Sequence, residues 1–316
     1  MLTPRNANQF TIASCMTATH EGQRIESIVR DEVLQLGSEG QLVGIVSHPP
    51  DGTAGAARGR TDTPAVIILN AGVLHRVGPH RLHVVLARQI AARGTPSLRL
   101  DLGGIGDSIA SSDATTFRAS AVADTRAAMT GLTDAYGVRR FVLFGVCAGA
   151  DNAIATALVD DRVAGIALVD PHTYPTWRSQ LRDLRVRVAH HGSVPAIMRW
   201  GLRVADRRLR LAIARARGVG DPPAEGREPP PVETFRAELA QLVGRGVRIL
   251  AVYSGIHGAG YNETDQLFEL FPELRGRMDH VYFPDANHTF TELAAQRELV
   301  ATVTAWVTRR FGSDGR

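Results

Sequence analysis

Lysine is absent from this chain. All 36 basic residues are arginine, against 32 acidic ones, which leaves a net charge of +4. An excess that small, with aromatic residues at 6% and no RNA- or DNA-binding signature, excludes a nucleic-acid-binding reading. Cysteine occurs twice, as Cys15 and Cys147. Two cysteines in a chain this long exclude a disulfide framework, and no Cys-x-x-Cys pair exists to hold zinc, so no metal is expected. A reducing, cytoplasmic setting is the expectation that follows. No run of 18 apolar residues occurs, so no membrane span is expected. The polar N-terminal stretch has no apolar core of the secretory type, and residues 1–24 read as a flexible arm.

What is present is ordinary globular material: 44% hydrophobic residues and 31 glycines in 316 residues. That length suits one α/β domain carrying an insertion. From Ile25 a hairpin is expected, IESIVRDEVLQL and QLVGIVSHP about a glycine-bounded turn. Four apolar runs follow: AVIILN (65–70), SLRLDL (97–102), FVLFGV (141–146) and GIALVD (165–170). Runs of this kind are strands of a parallel sheet covered on both faces. Helical spacing separates them. Leu82, Val85, Leu86 and Ile90 share one face, a second helix covers 114–136, and a third starts at Ala148. VRILAVYSG (247–255), HVYFP (280–284) and a helix over 291–310 close the pattern. Alternation of this sort predicts a mostly parallel central sheet with helices on both faces.

Residues 172–232 break the alternation and end in a proline-rich connector. They hold 12 arginines against five acids. The expected division is therefore an arm (1–24), a core (25–171 and 233–316) and an arginine-rich helical cap or lid (172–232) over the carboxyl edge of the sheet.

The strongest local signal is Gly145-Val146-Cys147-Ala148-Gly149, set between a buried strand and a helix. It fits a nucleophile elbow with cysteine where serine is usual. The flanking glycines remove side chains that would collide in so sharp a turn. The Ala148 amide then opens the following helix, where it can hold an oxyanion. Asn70-Ala71-Gly72-Val73 follows the strand AVIIL, and Asp101-Leu-Gly-Gly-Ile-Gly-Asp-Ser108 follows the next one; the second of these reads as a structural turn. Asp285-Ala-Asn-His288-Thr-Phe follows the last short strand. His288 suits a general base because imidazole titrates near working pH, and a Cys–His pair can exist as thiolate and imidazolium.

Together these motifs resemble the α/β-hydrolase superfamily over roughly residues 25–310, and within it the serine-aminopeptidase-like (S33-type) and exosortase-associated hydrolases. The resemblance implies an α/β-hydrolase fold with Cys147 as nucleophile and His288 as base. It implies oxyanion amides from Ala148 and from Val73 or Gly72. It implies an orienting carboxylate after the strand 247–255, where Asp265 is the first choice and Glu263 a second. Asp170, at the end of GIALVD, is the alternative acid. His75, Arg76 and Tyr261 are candidates for substrate binding, and Asp151 for capping the helix after the elbow or lining the pocket.

A cysteine elbow leans toward acyl (thio)ester chemistry through an acyl-cysteine, as thioesterase, acyltransferase or cyclase. Such an enzyme is expected to need no cofactor and to take a small acyl donor, linked to CoA or to a carrier protein, in a chain able to form a homodimer. The alternatives are an ester or amide hydrolase, a non-covalent lyase or isomerase, and a ligand-binding protein on the same scaffold.

Overall fold

The computed structural model describes residues 29–50, 63–110, 116–191, 227, 229–255 and 261–312. The expected arm 1–24 and most of the segment 192–228 lie outside these residues, so the expected division into arm and cap gains no description beyond the elements named below.

Eight strands form one sheet: β1 Arg30–Leu36, β2 Leu42–His48, β3 Ala65–Ile68, β4 Ser97–Leu100, β5 Phe141–Val146, β6 Val163–Val169, β7 Arg248–Ser254 and β8 Asp279–Phe283. Their spatial order is β1-β2-β4-β3-β5-β6-β7-β8. β1 pairs antiparallel with β2, and β2 antiparallel with β4. From β4 to β8 every pairing is parallel. Among the described residues the α-helices are α1 Leu82–Ala92, α2 Phe117–Tyr136, α3 Ala148–Val159, α4 Trp177–His191, α5 Val232–Gly244, α6 Gln266–Leu270 and α7 Leu293–Phe311. Among the described residues no helix is long and apolar enough to cross a membrane.

The continuous apolar runs serve both faces of the sheet because successive strand residues point opposite ways. Ile67, Leu143, Ile166, Leu168, Ile249 and Tyr253 pack on one side, with Met129, Ile154, Phe235 and Leu239 from helices α2, α3 and α5. Val66, Ile68, Val142, Phe144, Val169 and Val252 pack on the other, with Leu82, Leu86 and Ile90 of α1 and Leu299, Val303 and Trp306 of α7. The buried Trp306 indole donates to Asp279 Oδ2 at 2.7 Å, so its one polar atom is satisfied.

The segment between β6 and α5 is fastened at both ends. The Tyr174 hydroxyl donates to the Pro230 carbonyl at 2.7 Å, closing its entry against its exit. Helix α4 is held to the chain that follows β7: Arg182 donates to Asn262 Oδ1 (2.8 Å) and Glu269 Oε1 (3.0 Å), and Thr176 donates to Glu269 Oε2 (2.6 Å). Trp177, Leu181 and Leu184 of α4 are exposed.

Candidate active site

Strand β5 ends at Val146 and α3 begins at Ala148, so the whole reversal falls on Cys147. Its φ of 55° and ψ of −119° are unusual for a residue with a side chain. Strain of this kind costs on the order of 1–3 kcal/mol and persists only where the surroundings enforce it. Here the Cys147 amide donates to the Val169 carbonyl of β6 at 2.9 Å, and the Cys147 carbonyl accepts from Ala150 at 2.9 Å. The glycines are steric necessities. A Cβ on Gly145 would lie 2.1 Å from the Gly149 carbonyl carbon, and one on Gly149 would lie 2.7 Å from the Asn70 carbonyl oxygen. That close approach sets the turn 71–74, closed by a Leu74 amide to Ala71 carbonyl bond of 3.2 Å, beside the start of α3. Gly72 there has φ +60° and open space around it, and Val73 is exposed.

His288 follows β8 on a loop anchored by Phe290, which is fully buried at φ 50° and meets Phe283 edge-on. The Asn287 carboxamide oxygen accepts the Thr291 amide at 3.0 Å and so braces the same turn. One nitrogen of the imidazole, Nδ1, lies 2.7 Å from Asp170 Oδ2, and the ring also shares a hydrogen bond with the Cys147 thiol. Asp170 sits at the end of β6 with φ 45° and is 2% exposed. Ser254, the last residue of β7, donates to its carboxylate twice: the amide to Oδ1 and the hydroxyl to Oδ2, each at 2.7 Å.

The electrostatics follow from these contacts. The bond to Asp170, then the bond to Cys147, raise the His288 imidazole to about 9 against the opposing effect of burial. The bond from His288 holds the Cys147 thiol below its usual range although burial opposes this; the Arg227 charge and the Ala148 amide add to the lowering. The two shifts favour a thiolate–imidazolium pair.

The structure therefore corrects the first choice of acid. Asp265 starts helix α6, where its carboxylate meets Arg275 at 2.9 Å and both side chains are more than half exposed. Glu263 is exposed and accepts the Thr264 amide at 3.0 Å. The carboxylate at the imidazole is Asp170, one strand earlier, with Ser254 supplying donors from the end of β7.

Arg76 is corrected as well. Its guanidinium is paired with Asp101 and with Asp107 (2.6 Å), its amide donates to Asp101 Oδ1 at 2.6 Å, and 11% of the side chain is exposed. Asn70 joins the same knot, donating to the Leu74 carbonyl (2.8 Å) and Asp101 Oδ1 (3.1 Å). Arg76 thus fastens the turn 71–74 to the Asp101–Ser108 turn. A Cβ on Gly106 (φ +56°) would fall 2.1 Å from Asp101 Oδ2, which explains the glycine. His75 stands 3.9 and 4.0 Å from the same two carboxylates and is 43% exposed. These three groups come within 4.8 Å of one another, as metal ligands do, but both carboxylates are already paired with Arg76.

Tyr261 is corrected too. It is buried, stacks on Tyr253 with ring centroids 3.9 Å apart, and bonds through its hydroxyl to Thr264 and Leu267 of its own loop. It lines a small cavity with His172, Tyr174, Tyr253 and Phe271.

Three contributors escaped the sequence reading: Ser254, His172 and Arg227. Asp151, on the first turn of α3, is bonded by both His172 and Arg227. Only Asp151's place four residues after Cys147 hinted at this cluster.

This is the α/β-hydrolase fold, with Cys147, His288 and Asp170 brought together at the carboxyl edge of its parallel strands. The family model for the alpha/beta hydrolase fold matches residues 64–196. No curated protein sequence matches the chain. Among solved structures, an esterase from Pyrococcus furiosus is similar at TM-score 0.55 and 12% identity, over 92% of this chain and 94% of that one. A puromycin-hydrolyzing peptidase from Mycobacterium tuberculosis is similar at TM-score 0.52 and 15% identity, over 90% of this chain and 39% of its own. A protein of unknown function from Agrobacterium tumefaciens is similar at TM-score 0.52 and 14% identity, over 90% and 98%. Identities this low establish the shared fold.

Proposed function

We propose that the chain is an enzyme that transfers or hydrolyses an acyl group through a thioester on Cys147. The observation that carries this reading is the relay: the Cys147 thiol bonded to His288, whose Nδ1 lies 2.7 Å from the buried Asp170.

His288 takes the thiol proton, and the thiolate attacks the acyl carbonyl carbon. The oxygen that gains charge is met by the Ala148 amide and by an amide of the turn 71–74, from Gly72 or Val73. The tetrahedral adduct collapses, the bond to the leaving thiolate or alkoxide breaks, and that group leaves with the proton from His288. His288 then takes a proton from water or from an acceptor amine, alcohol or thiol, which attacks the acyl-cysteine. Collapse returns Cys147 as thiolate beside protonated His288. Asp170 orients the ring and balances its positive charge throughout.

Cysteine favours a thioester donor because thioester exchange costs little free energy, and the acyl-cysteine reacts readily with amines and thiols. Segment 172–232 would lie over this edge as the lid, with its arginines available to the phosphates of a CoA- or carrier-linked donor. An oxygen ester or amide substrate is the second reading, suggested by the esterase and peptidase among the similar structures.

The test is intact-protein mass spectrometry after incubation with a panel of acyl thioesters and esters. An acyl increment on the wild-type chain, lost in Cys147→Ala and failing to turn over in His288→Ala, supports the reading and names the acyl group. Turnover that survives in Cys147→Ala refutes it and favours a non-covalent lyase or isomerase. The absence of any adduct, together with an unreactive Cys147, leaves a binding protein.

A further inference from the structure

We propose that Arg227 is a positioning residue that staples the backbone of the acid Asp170 to the helix that carries the nucleophile. The proposal rests on the relay reading given above. Arg227 uses three N–H groups on two elements. Nε and Nη2 donate to the two oxygens of Asp151 on α3, and Nη1 donates to the Asp170 carbonyl at 2.9 Å. The planar fork of arginine makes this geometry available; an ammonium offers no equivalent pair of parallel donors.

The place of the staple gives it its effect. Asp170 holds its carboxylate toward His288 only through a left-handed backbone, φ 45°, at the end of β6. Its amide donates to Val252 (2.8 Å), and Ser254 and His288 occupy its carboxylate. The carbonyl is the remaining polar group, and Arg227 takes it. The far end of the staple, Asp151, stands one helical turn after Cys147, and its Oδ1 also meets His172 Nε2 at 3.0 Å. Burial alone would raise the Asp151 carboxyl, but the bonds from His172 and Arg227 hold it below the usual carboxylate range, so it remains an anion for Arg227 to grip. Asp151 balances much of the Arg227 charge; what remains acts on the thiol in the same direction as His288. The groups that face the thiol are thus His288, backed by Asp170, and Arg227, backed by Asp151 and His172.

The experiment follows alkylation of Cys147 by iodoacetamide across pH in the full chain, with peptide mass spectrometry separating Cys147 from Cys15. Wild type is compared with Arg227→Gln and Arg227→Lys, with folding checked by circular dichroism. In parallel, proton NMR observes the low-field Nδ1–H of His288 in its bond to Asp170. Arg227→Gln is expected to move the alkylation midpoint up by about half a pH unit, or ~3-fold less thiolate below the midpoint. Arg227→Lys is expected to recover most of that shift, because it keeps the charge. Both are expected to broaden or shift the low-field proton, because both lose the fork. A merely structural arginine would lower thermal stability and leave both readouts alone; superimposable profiles and an unmoved proton therefore overturn the proposal. If Arg227→Gln does not fold, the low-field proton of Arg227→Lys decides by itself, and an unmoved resonance overturns it. Alkylation and NMR need no substrate, so failure to find an acyl adduct would sink the proposed reaction without deciding this test.

Discussion

Asp170→Asn distinguishes the acid at the imidazole from its rivals. The His288 imidazole rises from 6.5 to about 9 through its bonds to Asp170 first and Cys147 second. At about 1.4 kcal/mol per pH unit, that rise corresponds to about 3 kcal/mol of preference for the imidazolium. If Asp170 supplies half or more, neutralising it costs the thiolate–imidazolium pair about 1.5–2 kcal/mol, a loss of ~10-fold or more in thiolate at pH 7. Asparagine keeps the shape and still accepts the Ser254 amide, so the loss is one of charge and of orientation. The assay is the second-order rate of Cys147 alkylation at pH 7, with acyl-thioester turnover as a second measure once a substrate is found. Asp265→Asn and Glu263→Gln serve as controls and are expected to leave both rates within about 2-fold, since neither carboxylate is bonded to His288. Wild-type rates in Asp170→Asn, or a large loss in Asp265→Asn, would refute the assignment.

The pH dependence has a definite sign. Cys147 ionises below the usual thiol range, so kcat/KM should rise on the acid side earlier than for an ordinary cysteine. His288 must carry a proton for the leaving group and holds it until about 9, so activity should fall as pH climbs through that value; a fall centred near 6.5 would contradict the His288–Asp170 coupling. Arg76→Met should lower thermal stability while leaving KM near its wild-type value, because it strips the cation from the fully buried Asp101. Breaking a buried pair costs about 3 kcal/mol, or roughly 4–5 °C in Tm by calorimetry for a chain of this length. A raised KM at unchanged Tm would restore Arg76 as a substrate binder.

Much of this molecule was legible along the chain. The apolar runs at 65–70, 97–102, 141–146 and 165–170 are strands β3 to β6, because a two-sided strand needs no polar face. The elbow was legible because Gly145 is dictated by a contact within one strand–helix turn and Gly149 by the approach of the turn at Asn70, and His288 because it follows the last strand at a fixed place in the alternation. These are local constraints, and composition records them.

Which carboxylate meets the imidazole, and what Arg227 and Arg76 are bonded to, only the tertiary structure decided. Asp265 lies 23 residues before His288 and Asp170 lies 118 before it, yet the nearer one in sequence points to Arg275. Parallel packing of β6 against β7 brings Asp170 beside Ser254 and across to His288; the sequence offered Asp170 as an alternative from its place at a strand end, and the packing decided between it and Asp265. Arg227 stands in a proline-rich connector that reads as a linker, and 76 residues separate it from Asp151. Arg76 looked like a free cation because Asp101 and Asp107, which neutralise it, belong to the next strand's turn. The sequence by itself determined where Cys147 and His288 stand, since backbone sterics write those positions locally. Which carboxylate completes the relay, and which arginines are already paired, depended on how the sheet brings distant strand ends together.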